Sequence, residues 1–155
     1  MAMHTWFECK IRYEKTMENG MNKKVTEPYL VDALSFTEAE ARIIEEKTPF
    51  ISGEFTVSDI KRANYSELFP SDEEAADRWF KSKLVFITLD ERSGVEKKTS
   101  TQVLVQAADL RDAVKKLDEG MKGTMADYQI ASMAETAIMD VYPFSAEPDD
   151  KPEVQ

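Results

Sequence analysis

The sequence feature that most restricts the fold is an internal repeat at an offset of 73 to 74 residues. Similar blocks follow one another in the same order along both copies, which indicates one structural unit that occurs twice. The matched blocks are Trp6–Ile11 with Trp79–Leu84, Lys23–Lys24 with Lys97–Lys98, Tyr29–Ala33 with Val103–Ala107, Phe55–Val57 with Tyr128–Ile130, and Leu68–Pro70 with Val141–Pro143. In the helical part, Phe36, Ala39 and Ile43 match Leu110, Ala113 and Leu117.

Each copy is predicted to begin with a β-hairpin. Apolar and polar residues alternate from Phe7 to Glu14, which is the period of a strand with one solvated face. Asn19-Gly20 then supplies a turn, and Val25 to Ala33 returns as the second strand. The second copy runs from Trp79 to Leu89 and returns from Lys98 to Ala107.

An amphipathic helix is predicted after each hairpin. Ser35 followed by Glu38 is a capping-box pattern, and apolar residues then recur at helical spacing toward Lys47. In the second copy Asp109 occupies the cap position and Gly120 is a plausible stop. Both helices are expected to cover the sheet with their apolar stripes.

The fold class predicted from these elements is α+β, with duplicated β-hairpin–helix–strand units that form a largely antiparallel sheet. Closing strands are expected at 51–65 and 127–141, and a short linker helix is expected to open at Ser71-x-x-Glu74. The domain organisation is a single domain over residues 4–144, made of repeats 4–70 and 78–144. Residues 145–155 are polar and acidic, and we expect a disordered tail there.

The composition indicates a folded protein outside the membrane. The chain has 155 residues, of which 42% are hydrophobic, so it can bury a sizeable core. It contains no apolar run of about 18 to 20 residues, the length needed to span a bilayer, and its first residues do not resemble a signal peptide. We therefore expect no membrane association and a cytoplasmic location.

The sequence offers little for catalysis. With one cysteine, Cys9, and one histidine, His4, a disulfide, a histidine-based triad or a clustered zinc site is poorly supported. Cys9 lies among apolar residues and is expected to be a buried thiol. The acidic runs Glu45-Glu46 and Asp72–Glu74 are typical of solvated helix faces rather than magnesium sites. No glycine-rich phosphate loop is present, so we expect no enzyme, no metal and no cofactor.

Basic residues are concentrated in the hairpins, although the net charge is −10. Lys10 and Arg12 share a strand face with Trp6 in the first copy, and the second copy repeats this arrangement. Cations beside aromatic rings suit a ligand that has both bases and phosphates. The candidate site residues are Trp6, Lys10, Arg12, Lys23, Lys24, Trp79, Lys81, Lys83, Lys97 and Lys98.

A purely structural interpretation of these residues stays open. A tryptophan at the start of a strand is more often a core or interface residue, and alternating lysine and glutamate commonly protect a sheet edge. The copies also differ, because Arg12 aligns with Val85 and Glu14 aligns with Ile87. Any ligand site is therefore expected to lie mainly on the first copy.

The sequence resembles a family of unknown function from Bacteroides-group bacteria and their phages over residues 4–144. The resemblance lies in Trp6–Tyr13, Pro28–Glu40 and Phe50–Leu68. It implies a phage or mobile-element setting and carries no activity or site residues. Single-stranded DNA binding is the first hypothesis. The alternatives are sequestration of a small nucleotide signal and a protein-interaction or assembly module. The sequence leaves self-association into a homo-oligomer open.

Overall fold

A computed structural model describes residues 5–143, which form eight strands and two helices. The elements in chain order are β1 (Trp6–Thr16), β2 (Asn22–Asp32), α1 (Phe36–Lys47), β3 (Phe55–Ala63), β4 (Tyr65–Phe69), β5 (Arg78–Leu89), β6 (Glu96–Ala107), α2 (Leu110–Gly120), β7 (Tyr128–Glu135) and β8 (Val141–Tyr142). The chain is thus mostly β with two helices, in agreement with an α+β class. The expected tail at 145–155 lies outside the described residues.

The chain divides into two compact units, each with its own four-stranded sheet. Within the described residues, unit 1 comprises 5–63 and 138–143, and its strand order is β3-β1-β2-β8. Unit 2 comprises Asn64–Ala137, and its strand order is β4-β6-β5-β7. In each sheet the hairpin is central, an antiparallel strand lies at one edge and a short parallel strand lies at the other. Both sheets are therefore mixed.

The short parallel strands do not join the hairpins that precede them. β4 pairs with β6 of unit 2, and Phe69 packs against the core of that unit. β8 pairs with β2 of unit 1, where Tyr142 packs against the core. The compact units consequently differ from the linear segments 4–70 and 78–144, because the last strand of each segment is held by the other sheet.

Each unit has a buried apolar cluster that contains side chains from its sheet and from its helix. In unit 1, Phe7, Cys9 and Ile11 of β1 form a buried cluster with Ala39 and Ile43 of α1. We call this side of the sheet the helix-packed face. The corresponding cluster of unit 2 contains Phe80, Leu84, Val103, Val105, Ala107, Ala113, Leu117 and Met121. Alternation along the strands brings these side chains to one face, as the period-two pattern requires.

The predicted helix starts are confirmed. Ser35 has extended backbone angles, and its hydroxyl accepts a hydrogen bond from the Glu38 backbone N–H at 3.1 Å. The Glu38 carboxylate accepts in return from the Leu34 backbone N–H. Asp109 caps α2 by accepting from the Asp112 backbone N–H at 2.8 Å. Both caps satisfy backbone donors that a helix leaves open in its first turn.

The predicted linker helix is wrong. Between β4 and β5 the chain forms a turn, in which the Ser71 hydroxyl accepts from the Glu73 backbone N–H at 3.2 Å. The Ser71 backbone N–H donates a hydrogen bond to Gln106 Oε1 at 2.9 Å. The segment is too short for a stable helix, and Ala76 is its only buried residue, so packing does not offset the cost of helix initiation.

The closing strands are shorter than expected. The predicted strand 51–65 is divided, because β3 ends at Ala63 and β4 begins at Tyr65 in the other sheet. The predicted strand 127–141 likewise ends at Glu135, before the buried residue Ile138. No helix within residues 5–143 is long and apolar enough to cross a bilayer.

Gly120 is required by close packing at the end of α2. A Cβ atom at this position would lie 2.5 Å from the Phe69 ring. We expect Gly120→Ala to lower the free energy of unfolding by about 1 to 3 kcal/mol, the usual cost of overpacking. In a helix, alanine is normally about 1 kcal/mol more stabilising than glycine. A loss of stability in Gly120→Ala would therefore be opposite in sign to the effect of helix propensity.

Urea denaturation followed by circular dichroism measures this change, with Glu119→Ala as the matched control on an exposed neighbouring position. The control is expected to change the free energy of unfolding by less than about 0.5 kcal/mol. Equal or higher stability of Gly120→Ala would contradict the packing of Phe69 on this glycine.

Candidate ligand-binding groove

A groove opens in unit 1 where β1 extends beyond β3. The β1–β3 ladder ends at the pair of Tyr13 and Phe55, whereas the β1–β2 ladder continues to Thr16 and Asn22. The end of β1 therefore has a strand neighbour on one side only within the described chain. The groove has a volume of about 700 Å³, which is within the usual range for small-molecule sites. It is lined by Arg12, Tyr13, Glu14, Thr16, Asn22, Lys24, Ser52, Gly53, Glu54, Phe55 and Thr56.

The segment that leads from α1 into β3 forms the second wall of the groove. Gly53 has a φ of 96°, in the left-handed region that favours glycine. This conformation turns the chain between the end of α1 and the first residue of β3. The turn brings Ser52 and Glu54 beside the unpaired edge of β1. The groove is therefore built by one hairpin and one connecting segment of the same unit.

Two cations and two carboxylates line the groove. Arg12 and Glu14 lie on one strand, and Lys24 is directly opposite Glu14 in the β1–β2 ladder. Glu54 lies on the connecting segment. Among residues 5–143, none of these four side chains makes a hydrogen bond or an ion pair with another side chain or with the backbone. Their charged groups are available to a ligand.

The aromatic part of the groove is held by a buried carboxylate. Tyr13 lines the groove, and its hydroxyl donates a hydrogen bond to Glu27 Oε1 at 3.0 Å. The Tyr29 hydroxyl donates to the same oxygen at 3.0 Å. Burial raises the pKa values of Tyr13 and Tyr29, and the hydrogen bonds to Glu27 raise them further. Both phenols thus stay protonated donors at neutral pH.

Both tryptophans of the sequence hypothesis are buried. Trp6 is 8% exposed and Trp79 is 5% exposed, although they lie on the sheet faces away from the helices. Leu30 and Leu104 are fully buried on the same faces. The indole rings therefore cannot serve as open stacking platforms in this conformation. Their burial favours the core or interface interpretation that the sequence left open.

The predicted basic residues are dispersed, and only two of the ten candidate residues line the groove. Arg12 and Lys24 are brought together there. Lys10 is half-buried nearer the centre of β1. Lys23 lies opposite Lys15 at the exposed end of the hairpin. The remaining candidates belong to unit 2, where Lys81, Lys83, Lys97 and Lys98 are exposed.

Sequence reasoning missed most of the groove wall. The apolar alternation of β1 predicts that Tyr13 is a core residue. In the structure Tyr13 belongs to the last pair of the β1–β3 ladder, and it lines the groove. Glu54 and Phe55 line the groove because β3 starts at Phe55, whereas the sequence predicted a strand from residue 51. Ser52-Gly53 between a helix and a strand was the available signal, since this dipeptide marks a tight turn.

Cys9 is a buried thiol, as expected from its position. It is fully buried in the core of unit 1. Its pKa is raised to about 12, chiefly by burial and in addition by the nearby carboxylates of Glu8 and Asp59. Across residues 5–143, no group of three or more His, Cys, Asp or Glu side chains is arranged to hold a metal ion.

Comparison with known proteins identifies the family. The family model described as a domain of unknown function (DUF4494) matches residues 5–144. The chain belongs to the DUF4494 family. The match includes both units and the whole groove of this DUF4494 protein. No curated protein matches the chain, and no solved structure matches it.

The burial of Cys9 predicts a thiol that does not react in the native state. With a pKa of about 12, roughly one molecule in ten thousand carries a thiolate at pH 8. We expect native protein to resist Ellman's reagent at pH 8 and to react with one equivalent after unfolding in guanidinium chloride. Rapid stoichiometric labelling of the native protein would show that Cys9 is exposed.

Proposed function

We propose that this DUF4494 protein is a non-enzymatic binding protein whose groove in unit 1 takes a nucleotide. The observation that carries the proposal is the groove itself, whose lining includes the uncommitted cations Arg12 and Lys24 as well as the aromatic residues Tyr13 and Phe55. Arginine and lysine bind phosphate through charge-assisted hydrogen bonds. Aromatic side chains suit the flat faces of bases.

The carboxylates favour a complete nucleotide over inorganic phosphate. When ionised, Glu14 and Glu54 can accept but not donate hydrogen bonds, so they suit ribose hydroxyls or the amino groups of a base. Their negative charges balance those of Arg12 and Lys24. A groove of balanced charge suits a small ligand with one anionic end. A long polyanion requires a surplus of positive charge along its path.

Single-stranded nucleic acid is the second candidate. It is supported by Lys81 and Lys83, which are exposed on β5 and have no side-chain partner in the described chain. The burial of Trp6 and Trp79 removes the stacking that the sequence hypothesis assigned to them. The nucleotide proposal therefore takes first place, in reverse of the order drawn from sequence.

We also infer that the two units are copies of one duplicated unit. The matched sequence blocks support this inference, and so does the equivalent order of elements in the two sheets. On this view the groove developed in one copy, because Val85 and Ile87 stand where unit 1 has Arg12 and Glu14. A phage or mobile-element setting and self-association stay predictions from the sequence.

Binding without chemical transformation is supported by the groove's side chains. Its lining includes no cysteine or histidine, and the one thiol of the chain, Cys9, has a pKa near 12. Thr16, Ser52 and Thr56 bring hydroxyls, but the lining contains no imidazole, so it holds no histidine-activated nucleophile.

Titration calorimetry with the four ribonucleoside 5′-monophosphates tests the proposal. We expect at least one to bind wild-type protein and to raise its melting temperature by mass action. Arg12→Gln and Lys24→Gln should each weaken binding by about tenfold to a hundredfold, since a hydrogen bond to a charged group contributes roughly 1.5 to 3 kcal/mol. Absence of binding at millimolar nucleotide would contradict the proposal.

Lys83→Gln is the matched control, because it removes one exposed lysine from unit 2 and leaves the groove intact. Its affinity for the monophosphates should equal that of wild type. A fluorescein-labelled oligothymidylate of twelve nucleotides serves as the second ligand, at low and high salt. Salt-sensitive binding of this oligonucleotide that depends on Lys83 and not on Arg12 would favour the second candidate.

A further inference from the structure

Unit 1 contains a buried carboxylate on the helix-packed face of its sheet. Glu27 of β2 is 9% exposed and lies opposite Ile11 in the ladder. Its Oε1 atom accepts hydrogen bonds from Tyr13 and Tyr29, and its Oε2 atom lies 3.9 Å from Lys15 Nζ. Glu27 therefore joins the groove residue Tyr13 to the core residue Tyr29.

The fold does not require this polar cluster, as unit 2 shows. Ladder positions define the equivalent residues, because Leu84 pairs with Thr101 just as Ile11 pairs with Glu27. By the same correspondence unit 2 has Phe86 for Tyr13 and Val103 for Tyr29. The same hairpin is thus built there without a carboxylate and without phenols at these positions.

A buried carboxylate is costly unless it is well paired. Removing an ionised group from water costs several kcal/mol, which its hydrogen bonds must offset. An apolar or hydroxyl residue at position 27 would avoid that cost, as Thr101 does in unit 2. A carboxylate at this position is therefore better explained by what it orients than by stability.

We propose that Glu27 is a positioning residue for the ligand groove and acts by fixing the hydroxyl of Tyr13. The inference rests on the proposed nucleotide site. Tyr13 is the member of the cluster that lines the groove, whereas Tyr29 stacks at 6.0 Å on Tyr142 in the core. With its hydroxyl held at 3.0 Å by a buried acceptor, the Tyr13 ring keeps one orientation before the ligand arrives. Pre-orientation lowers the entropic cost of binding.

The two tyrosines form a matched pair for the test. Tyr13→Phe and Tyr29→Phe each remove one O–H donor that bonds the same carboxylate oxygen at 3.0 Å. Affinity for the four ribonucleoside 5′-monophosphates is measured by calorimetry for both variants, for Glu27→Met, which removes the acceptor oxygens, and for the double variant Glu27→Met/Tyr13→Phe. Melting temperatures are recorded for each protein. Glu27→Thr, which introduces the residue type of unit 2, substitutes for Glu27→Met if that variant does not fold.

We expect Tyr13→Phe and Glu27→Met, which both remove the hydrogen bond that holds the Tyr13 ring, each to weaken binding by about fivefold to tenfold, the usual cost of ordering one side chain on binding. The double variant should bind no more weakly than Tyr13→Phe alone, because both changes remove the same constraint. Tyr29→Phe should leave affinity within about twofold of wild type, even where it lowers the melting temperature.

Two results would overturn the positioning role while leaving the nucleotide site intact. One is a multiplicative loss of affinity in the double variant, and the other is an equal loss in Tyr29→Phe, which would mark a general structural effect. Failure of wild-type protein to bind any of the four monophosphates would instead reject the proposed function and this inference with it.

Discussion

The antiparallel ladder within each hairpin is the interaction on which the rest of the structure depends. It runs from the Trp6–Asp32 pair to the Thr16–Asn22 pair in unit 1. In unit 2 it runs from Arg78–Ala107 to Leu89–Glu96. The edge strands pair with it, and each helix shares a buried apolar cluster with it. The groove depends on it as well, because β1 and β2 stay paired beyond the last residue of their neighbour.

Side-chain exposure changes along the face of β1 that carries Trp6, Arg12 and Glu14. At one end of β1, Trp6 is buried, whereas at the other end Arg12 and Glu14 are exposed. The face that sequence periodicity marks as polar is therefore buried at one end and solvated at the other. This division moves the candidate site away from the tryptophans and toward the open end of the hairpin, where the cations are exposed and the proposed ligand would not displace the core.

Local physics made much of the fold predictable. Alternation defined the hairpins, and Ser35, Glu38 and Asp109 defined the helix starts, because caps and strand faces depend on neighbouring residues. The exchange of β4 and β8 between sheets was not predictable, since it depends on pairing between distant segments. For the site, Arg12 and Lys24 were identified from their charge. Tyr13 and Glu54 were not, because the end of the β1–β3 ladder is not encoded in either strand alone.

Backbone amide chemical-shift mapping with the four ribonucleoside 5′-monophosphates tests the central claim most directly. A nucleotide in the groove predicts saturable shift changes confined to Arg12–Thr16, Asn22–Lys24 and Ser52–Thr56, the segments that line it. The remainder of unit 1 and all of unit 2 should stay unperturbed at saturation. Shift changes centred on Lys81–Lys83, or none at millimolar nucleotide, would contradict the account.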